Sequence, residues 1–141
     1  MIKIDYPNNR FRFKEEGGKE FIFDEVRKQW IKLTPEEWVR QNFLQYLIQI
    51  KKYPASLIAV EKEIALGELK RRCDIIIYKN EKPWMIVECK EMNVELNDKV
   101  VEQILNYNQS LDVCYLIVSN GTTVFGFDTT QKLSLHAIPD Y

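Results

Sequence analysis

Arg72-Cys73-Asp74-Ile75-Ile76-Ile77-Tyr78, then Lys79-Asn80-Glu81-Lys82-Pro83, then Trp84-Met85-Ile86-Val87-Glu88-Cys89-Lys90 is the stretch that decides how this chain folds. Its two flanks are rich in aromatic, β-branched and aliphatic residues, and the polar segment between them ends in proline, which reads as a β-hairpin. Near-continuous apolar runs of this kind belong to strands buried on both faces. A mirror about the turn sets Asp74 roughly opposite Glu88, at the end of the hairpin away from the turn. Side chains alternate with period two, so Glu88 and Lys90 share a face while Cys89 points away as a small core residue.

Two carboxylates brought together at the end of a sheet repel each other and raise one another's pKa unless a cation intervenes. A hard divalent metal answers that charge. Magnesium, with manganese as the alternative, accepts a few carboxylate oxygens, keeps several waters and polarises a phosphate. Lys90, one strand repeat from Glu88, is then placed to steer a water or hold a phosphate oxygen. The competing reading is an ordinary surface ion pair of edge charges.

An Asp followed fourteen residues later by Glu-X-Lys resembles the metal-dependent nucleases of the PD-(D/E)XK class, with Cys73 where the name has proline. Gln103-Ile104-Leu105-Asn106-Tyr107 matches the Gln-X-X-X-Tyr element that follows this strand in RecB-like members. Thr34-Pro35-Glu36-Glu37-Trp38-Val39-Arg40-Gln41 resembles the opening helix of the type I restriction enzyme R protein N-terminal domain family. Tyr53-Pro54-Ala55-Ser56-Leu57-Ile58-Ala59-Val60-Glu61 and Tyr115-Leu116-Ile117-Val118-Ser119-Asn120-Gly121 are similar to that family too, and the resemblance spans residues 26–128. It implies an α/β fold with a restriction-endonuclease-like αβββαβ core, a central mixed sheet flanked by helices, and extra strands at both ends. It also favours Glu61 as an additional acid near the site.

With 141 residues and 45% hydrophobic content, one domain with one core is expected: an N-terminal extension over 1–25 and a family-like core over 26–128. Twenty Lys and Arg against 21 acids exclude the global basic field of a tight non-specific DNA binder, so any nucleic-acid surface must be local. Three cysteines without a C-x-x-C pair suggest neither a disulfide framework nor a zinc knuckle. No apolar leader or membrane-length run is visible, so a cytoplasmic setting without a membrane partner is expected.

Phe11-Arg12-Phe13 and Phe21-Ile22-Phe23 flank Glu15-Glu16-Gly17-Gly18-Lys19 and predict a small hairpin. Thr34 as N-cap, Pro35 at N1 and Glu37 at N3 predict a helix running to about Lys51, with Val39, Phe43, Tyr46, Leu47 and Ile50 as its apolar stripe. In that geometry Glu37 closes a capping box and points away from the stripe, whereas Glu36 lies on its border and can face the sheet and a metal. Simple stabilisation of the helix N-terminus is the alternative for both. Arg40 lies between those directions, free to pair with Glu36 or to contact a phosphate.

A strand is predicted over Val60–Leu66, with Glu61 and Glu63 on one face and Ile64 and Leu66 on the other. Glu61 there is either a site acid or a solvated edge charge. Asn97 caps a second predicted helix to about Leu111, with Val100, Ile104, Tyr107 and Leu111 as its core stripe and Gln103 beside it. Val113–Val118 reads as a strand, Asn120-Gly121 as a type I′ turn, Thr123–Phe127 as the returning strand, and Leu133–Ile138 as one more.

The reading that follows is metal-dependent phosphodiester hydrolysis of DNA. Asp74 and Glu88 ligate magnesium, joined by the Cys89 carbonyl and by Glu61 or Glu36. Lys90 orients or deprotonates the attacking water, Gln103 holds that water or a backbone oxygen, and Arg40, Arg71, Arg72 and Tyr107 contact DNA. The sole histidine, His136, lies far from these motifs. No G-x-x-x-x-G-K-[ST] loop is present, since Gly17-Gly18-Lys19-Glu20 does not satisfy it, so the chain is expected to act alone, as a homodimer, or with a separate motor or specificity subunit. The alternative from another class is a non-catalytic nucleic-acid-binding or assembly module that keeps the nuclease fold. Hydrolysis of RNA or a nucleotide is a third reading, with no aromatic-basic ribonucleoprotein motif to support it.

Overall fold

The structure, a computed structural model, describes residues 1–66 and 68–141, and of residues 66 and 69 the backbone alone. The expected sharing of a face by Leu66 and Ile64 therefore lies outside the described side chains.

Among the described residues, two sheets and two α-helices make up the architecture. β1 (Phe13–Glu16), β2 (Lys19–Asp24) and β3 (Gln29–Lys32) form an antiparallel meander, one strand more than the hairpin expected there. Gly17 and Gly18, at φ of 60° and 76°, make the first turn. α1 (Pro35–Gln45) follows, then β4 (Ile58–Leu66), β5 (Leu69–Lys79), β6 (Lys82–Cys89), α2 (Asp98–Tyr107), β7 (Tyr115–Ser119), β8 (Val124–Asp128) and β9 (Leu133–Ser134). The last six strands form one sheet in the order β4-β5-β6-β7-β8-β9. Its β6–β7 pair is parallel and bridged by α2, and the others are antiparallel. The expected α/β class, with its mixed central sheet and helix, three strands, helix, strand order, is the observed one.

The central hairpin is buried on both faces. Ile75, Ile76, Ile77, Met85, Ile86 and Val87 are fully enclosed. Alternation sends Ile75, Ile77, Met85, Val87 and Cys89 to the α1 layer with Val39, Phe43, Leu44 and Leu47, while Ile76 and Ile86 face the other way with Leu111, Val113 and Leu116. Burying an aliphatic side chain of this size contributes about 1.5–3 kcal/mol, so the two layers clamp the hairpin firmly.

Several expected boundaries move for identifiable reasons. Thr34 caps α1 by accepting from the Glu37 N–H at 3.0 Å, but after Gln45 the helix loosens into a π-helical turn, Tyr46–Ile50, closed by the Lys51 N–H on the Tyr46 carbonyl. The wider turn rotates Ile50 out of the expected stripe into solvent. In α2, capped by Asn97, the expected Val100 and Ile104 pack inward beside buried Val101, and Leu111 is buried past the helix end, but Tyr107 is 57% exposed and Asn108 takes the buried position. The Asn120-Gly121 turn is a four-residue loop, because the Asn120 side chain accepts from the Thr122 and Thr123 N–H groups and donates to the Val94 carbonyl. The last strand shrinks to Leu133–Ser134, and Ile138 instead packs into the α1 layer.

Candidate active site

The β5–β6 register carries Asp74 to Glu88. Ile75 pairs with Val87 and Ile76 with Ile86, so the next position outward sets Asp74 across from Glu88, as the sequence mirror predicts. The Cys89 N–H donates to Asp74 Oδ2 at 2.8 Å, which holds this carboxylate against the end of β6 between Glu88 and Lys90. Burial first, and the neighbouring Asp74 second, push the Glu88 carboxyl up to about 8. At neutral pH the pair therefore retains a proton, with protonated Glu88 hydrogen-bonded to Asp74.

The strand pair is distorted at this point. Cys73 joins Ile76 in the α2-side layer, while Ile75 faces α1, so alternation slips by one residue around Asp74. Opposite, in β4, Glu61 has φ of 54° between Val60 and Lys62, which pair with Ile75 and Cys73. A left-handed residue inside a strand stores strain of about 1–3 kcal/mol and is held by its surroundings. Here Glu61 accepts from Arg40 Nη2 and from Arg72 Nε, each at 2.8 Å.

Arg40 is the hub of the cluster. Its Nη2 reaches Asp74 Oδ1 at 2.8 Å, Glu61 at 2.8 Å and Glu36 at 3.4 Å, while Nη1 meets Glu37 at 2.5 Å. Burial works against its charge, but the hydrogen bond to Asp74 and the Glu37 charge more than offset this and keep the guanidinium protonated. The expected phosphate contact by Arg40 does not fit this placement, because the side chain is 5% exposed and committed to carboxylates. The two helix acids also exchange the roles expected of them. Glu37 is buried and bound by Arg27, Arg40 and Gln41 instead of closing a capping box. Glu36 stands at the exposed rim, its carboxyl raised by burial and by Asp74. The sequence reading missed Asp24, Arg27 and Gln41. Asp24 accepts from the Val26 and Arg27 N–H groups, Arg27 Nε and Gln41 Nε2, and the Asp24-x-x-Arg27 spacing was the visible signal.

Glu88 and Lys90 face α2. A cleft of about 430 Å³ is lined there by Arg72, Glu88, Lys90, Gln103, Ile104, Tyr107 and Asn108. The Arg71 guanidinium lies 3.7 Å from the centre of the Tyr107 ring, a cation–π contact at the cleft rim. Tyr107 is thus a surface platform and not part of the core stripe. The Cys89 thiol is buried in the α1 layer, and its backbone N–H serves Asp74. His136 is exposed.

Among the described residues no group of three or more His, Cys, Asp or Glu is arranged to enclose a metal ion. Asp74 and Glu88 nonetheless fit magnesium, which needs one or two carboxylates and keeps its other positions for water and phosphate. Asp74 accepts from Arg40 on Oδ1 and from the Cys89 N–H on Oδ2, and the proton between it and Glu88 stands where the charge of a cation would replace it. Among the described residues no helix is long and apolar enough to cross a membrane.

A mixed sheet between two helix layers, with carboxylates gathered at the end of its central hairpin, defines an α/β protein of nuclease-like layout. The chain belongs to the family described as Type I restriction enzyme R protein N terminus, whose model matches residues 35–140. The matched span begins at α1 and runs past β9, starting and ending later than the expected 26–128. No curated protein and no solved structure matches the chain.

Proposed function

We propose that this chain is a magnesium-dependent deoxyribonuclease domain of the PD-(D/E)XK type, hydrolysing phosphodiester bonds in the cleft between β6 and α2. The observation that carries this reading is the approach of buried Asp74 to Glu88, which lines a cleft together with Lys90 and Gln103. Family membership supports DNA as substrate and a separate motor or specificity subunit as partner. Asp74 and Glu88 would hold the metal, which when bound supplies the charge that polarises the phosphodiester and acidifies water. Lys90 orients the attacking water or takes its proton, and the Gln103 amide fixes that water or a backbone oxygen. Arg72, two-thirds exposed on the cleft wall, and Arg71 with Tyr107 at the rim are suited to hold phosphates. Arg40 holds the Asp74 and Glu61 carboxylates in place, and Glu36 is the acid with room to move toward a cation.

A second reading, a non-catalytic DNA-binding or assembly module, is favoured by one observation: Arg40 already supplies positive charge to Asp74, Glu61 and Glu36. Cleavage of supercoiled, linear and single-stranded DNA by the full chain with magnesium or manganese separates the two. Cutting by wild type and loss of at least ~100-fold in Lys90→Ala, with DNA binding retained, is expected of the nuclease. Absence of cutting by folded wild type, alone and with a motor subunit added, would sink it in favour of the module.

A further inference from the structure

The N-terminal meander lies outside the family-matched span and plays no part in the cleft chemistry. Its register sorts its side chains sharply. Lys14 stands opposite Phe21 and Phe21 opposite Lys32, while Phe23 stands opposite Trp30, and residues directly across a pair share a face. Alternation adds Arg12, Glu16 and Lys19 to that face. The opposite face carries Ile22 and Asp24, both fully buried, and turns toward α1 through the Asp24–Gln41 hydrogen bond. The first face therefore looks outward, with four cations, Arg12, Lys14, Lys19 and Lys32, interleaved with three aromatic rings, Phe21, Phe23 and Trp30. Glu16 is the acid among them, an exposed partner of Lys14 at 3.1 Å.

The rings are partly buried yet keep an edge open to solvent, where a meander of ordinary solvated residues would show polar side chains. Phe23 and Trp30 meet edge to face at 5.3 Å between centroids, a rigid two-ring platform. The Arg12 guanidinium lies 4.0 Å from the Phe23 centroid and Lys14 Nζ 4.9 Å from that of Trp30. Aromatic rings set among cations that lie against them suit bases and phosphates together, and an open sheet face can take bases that are already unpaired. The chain's formal charge of −1 makes this local concentration of cations the more distinctive.

We propose that this outward face of the meander binds single-stranded DNA, stacking bases on Phe23, Trp30 and Phe21 and pairing phosphates with Arg12, Lys14, Lys19 and Lys32. The choice of DNA over RNA rests on the nuclease reading above.

The test is fluorescence anisotropy of a labelled oligothymidylate with the full chain in EDTA, where hydrolysis cannot intrude. Lys14→Glu/Lys32→Glu should weaken binding at least ~10-fold and flatten the log–log salt dependence by about 0.7 per lost phosphate contact. Trp30→Leu should weaken it with the salt slope unchanged. Should the double reversal fail to fold by circular dichroism, Lys14→Gln/Lys32→Gln replaces it, with a smaller loss expected. A control of equal charge change, Lys82→Glu/Lys132→Glu, reverses exposed lysines in β6 and in the turn before β9 and should bind as wild type. Equal loss in that control, binding indifferent to the Lys14 and Lys32 changes, or equal affinity for duplex or oligouridylate overturns the proposal. Asp74→Asn/Glu88→Gln, run alongside, should keep oligothymidylate binding. Metal-dependent cleavage with face-independent binding would remove this proposal alone, and face-dependent binding without cleavage would remove the nuclease reading alone.

Discussion

Glu88 is held as an acid in a place where the folded chain prefers it neutral. Its carboxyl rises from the ordinary glutamate value of 4.5 to about 8, through burial first and Asp74 second. Between those values the folded state keeps a proton that the unfolded state has lost, so stability falls as pH rises through this window and is level above it. Glutamine mimics the protonated form. In EDTA, Glu88→Gln should therefore match wild type near pH 4.5 and exceed it by pH 8 by on the order of 1–3 kcal/mol, while losing any metal-dependent cleavage. Urea denaturation across this range checks it, and parallel stabilities at every pH would remove the buried proton. The Asp and Glu-X-Lys spacing was legible because a hairpin is a mirror. The Arg40 hub was not, because its carboxylates come from α1, β4 and β5, and no local pattern records that they meet.

At the scale of elements, the β5–β6 hairpin is the part that positions the chemistry, and its turn is strained. Asn80 and Glu81 have φ of 53° and 64°, the two left-handed residues of a type I′ turn. Asparagine tolerates this conformation, whereas glutamate carries a Cβ penalty of about 1 kcal/mol. Glu81→Gly creates the favoured Asn-Gly pair and should raise stability by about 0.5–1 kcal/mol, read as a higher urea midpoint at unchanged slope. A lower midpoint would mean that the exposed Glu81 side chain makes a contact worth more than the strain. The hairpin and the Thr34 cap were readable because their signals are local. The π-helical turn after Gln45 and the outward turn of Tyr107 in α2 were not, since tertiary packing sets which way those residues face.

Across the whole molecule, one chain of ion pairs joins the meander to the cluster: Asp24 to Arg27 at 2.6 Å, Arg27 to Glu37 at 3.0 Å, Glu37 to Arg40, and Arg40 to Asp74. The Asp24 carboxyl is pushed up by desolvation, but its hydrogen bonds with Arg27 and Gln41 more than offset this and hold it below its ordinary value. Removing either partner of a largely buried pair leaves the other uncompensated. In a double-mutant cycle, Arg27→Met and Glu37→Gln should therefore couple by about 1–3 kcal/mol, and the same cycle read in oligothymidylate binding should show none. Additive stabilities would mean that the meander and the sheet are held together by apolar contact alone.

By itself the sequence determined the α/β class, the order of its core elements and the Asp74–Glu88 juxtaposition, because each is written in short-range periodicity, caps and spacing, and its motifs carried the resemblance to the family it belongs to. Tertiary structure decided which carboxylates Arg40 binds, that Glu37 is buried and Glu36 exposed, and that the meander turns its aromatic and basic residues outward together. These outcomes depend on strand pairing and layer packing between residues distant in the chain. A substitution pattern along one segment carries no record of them.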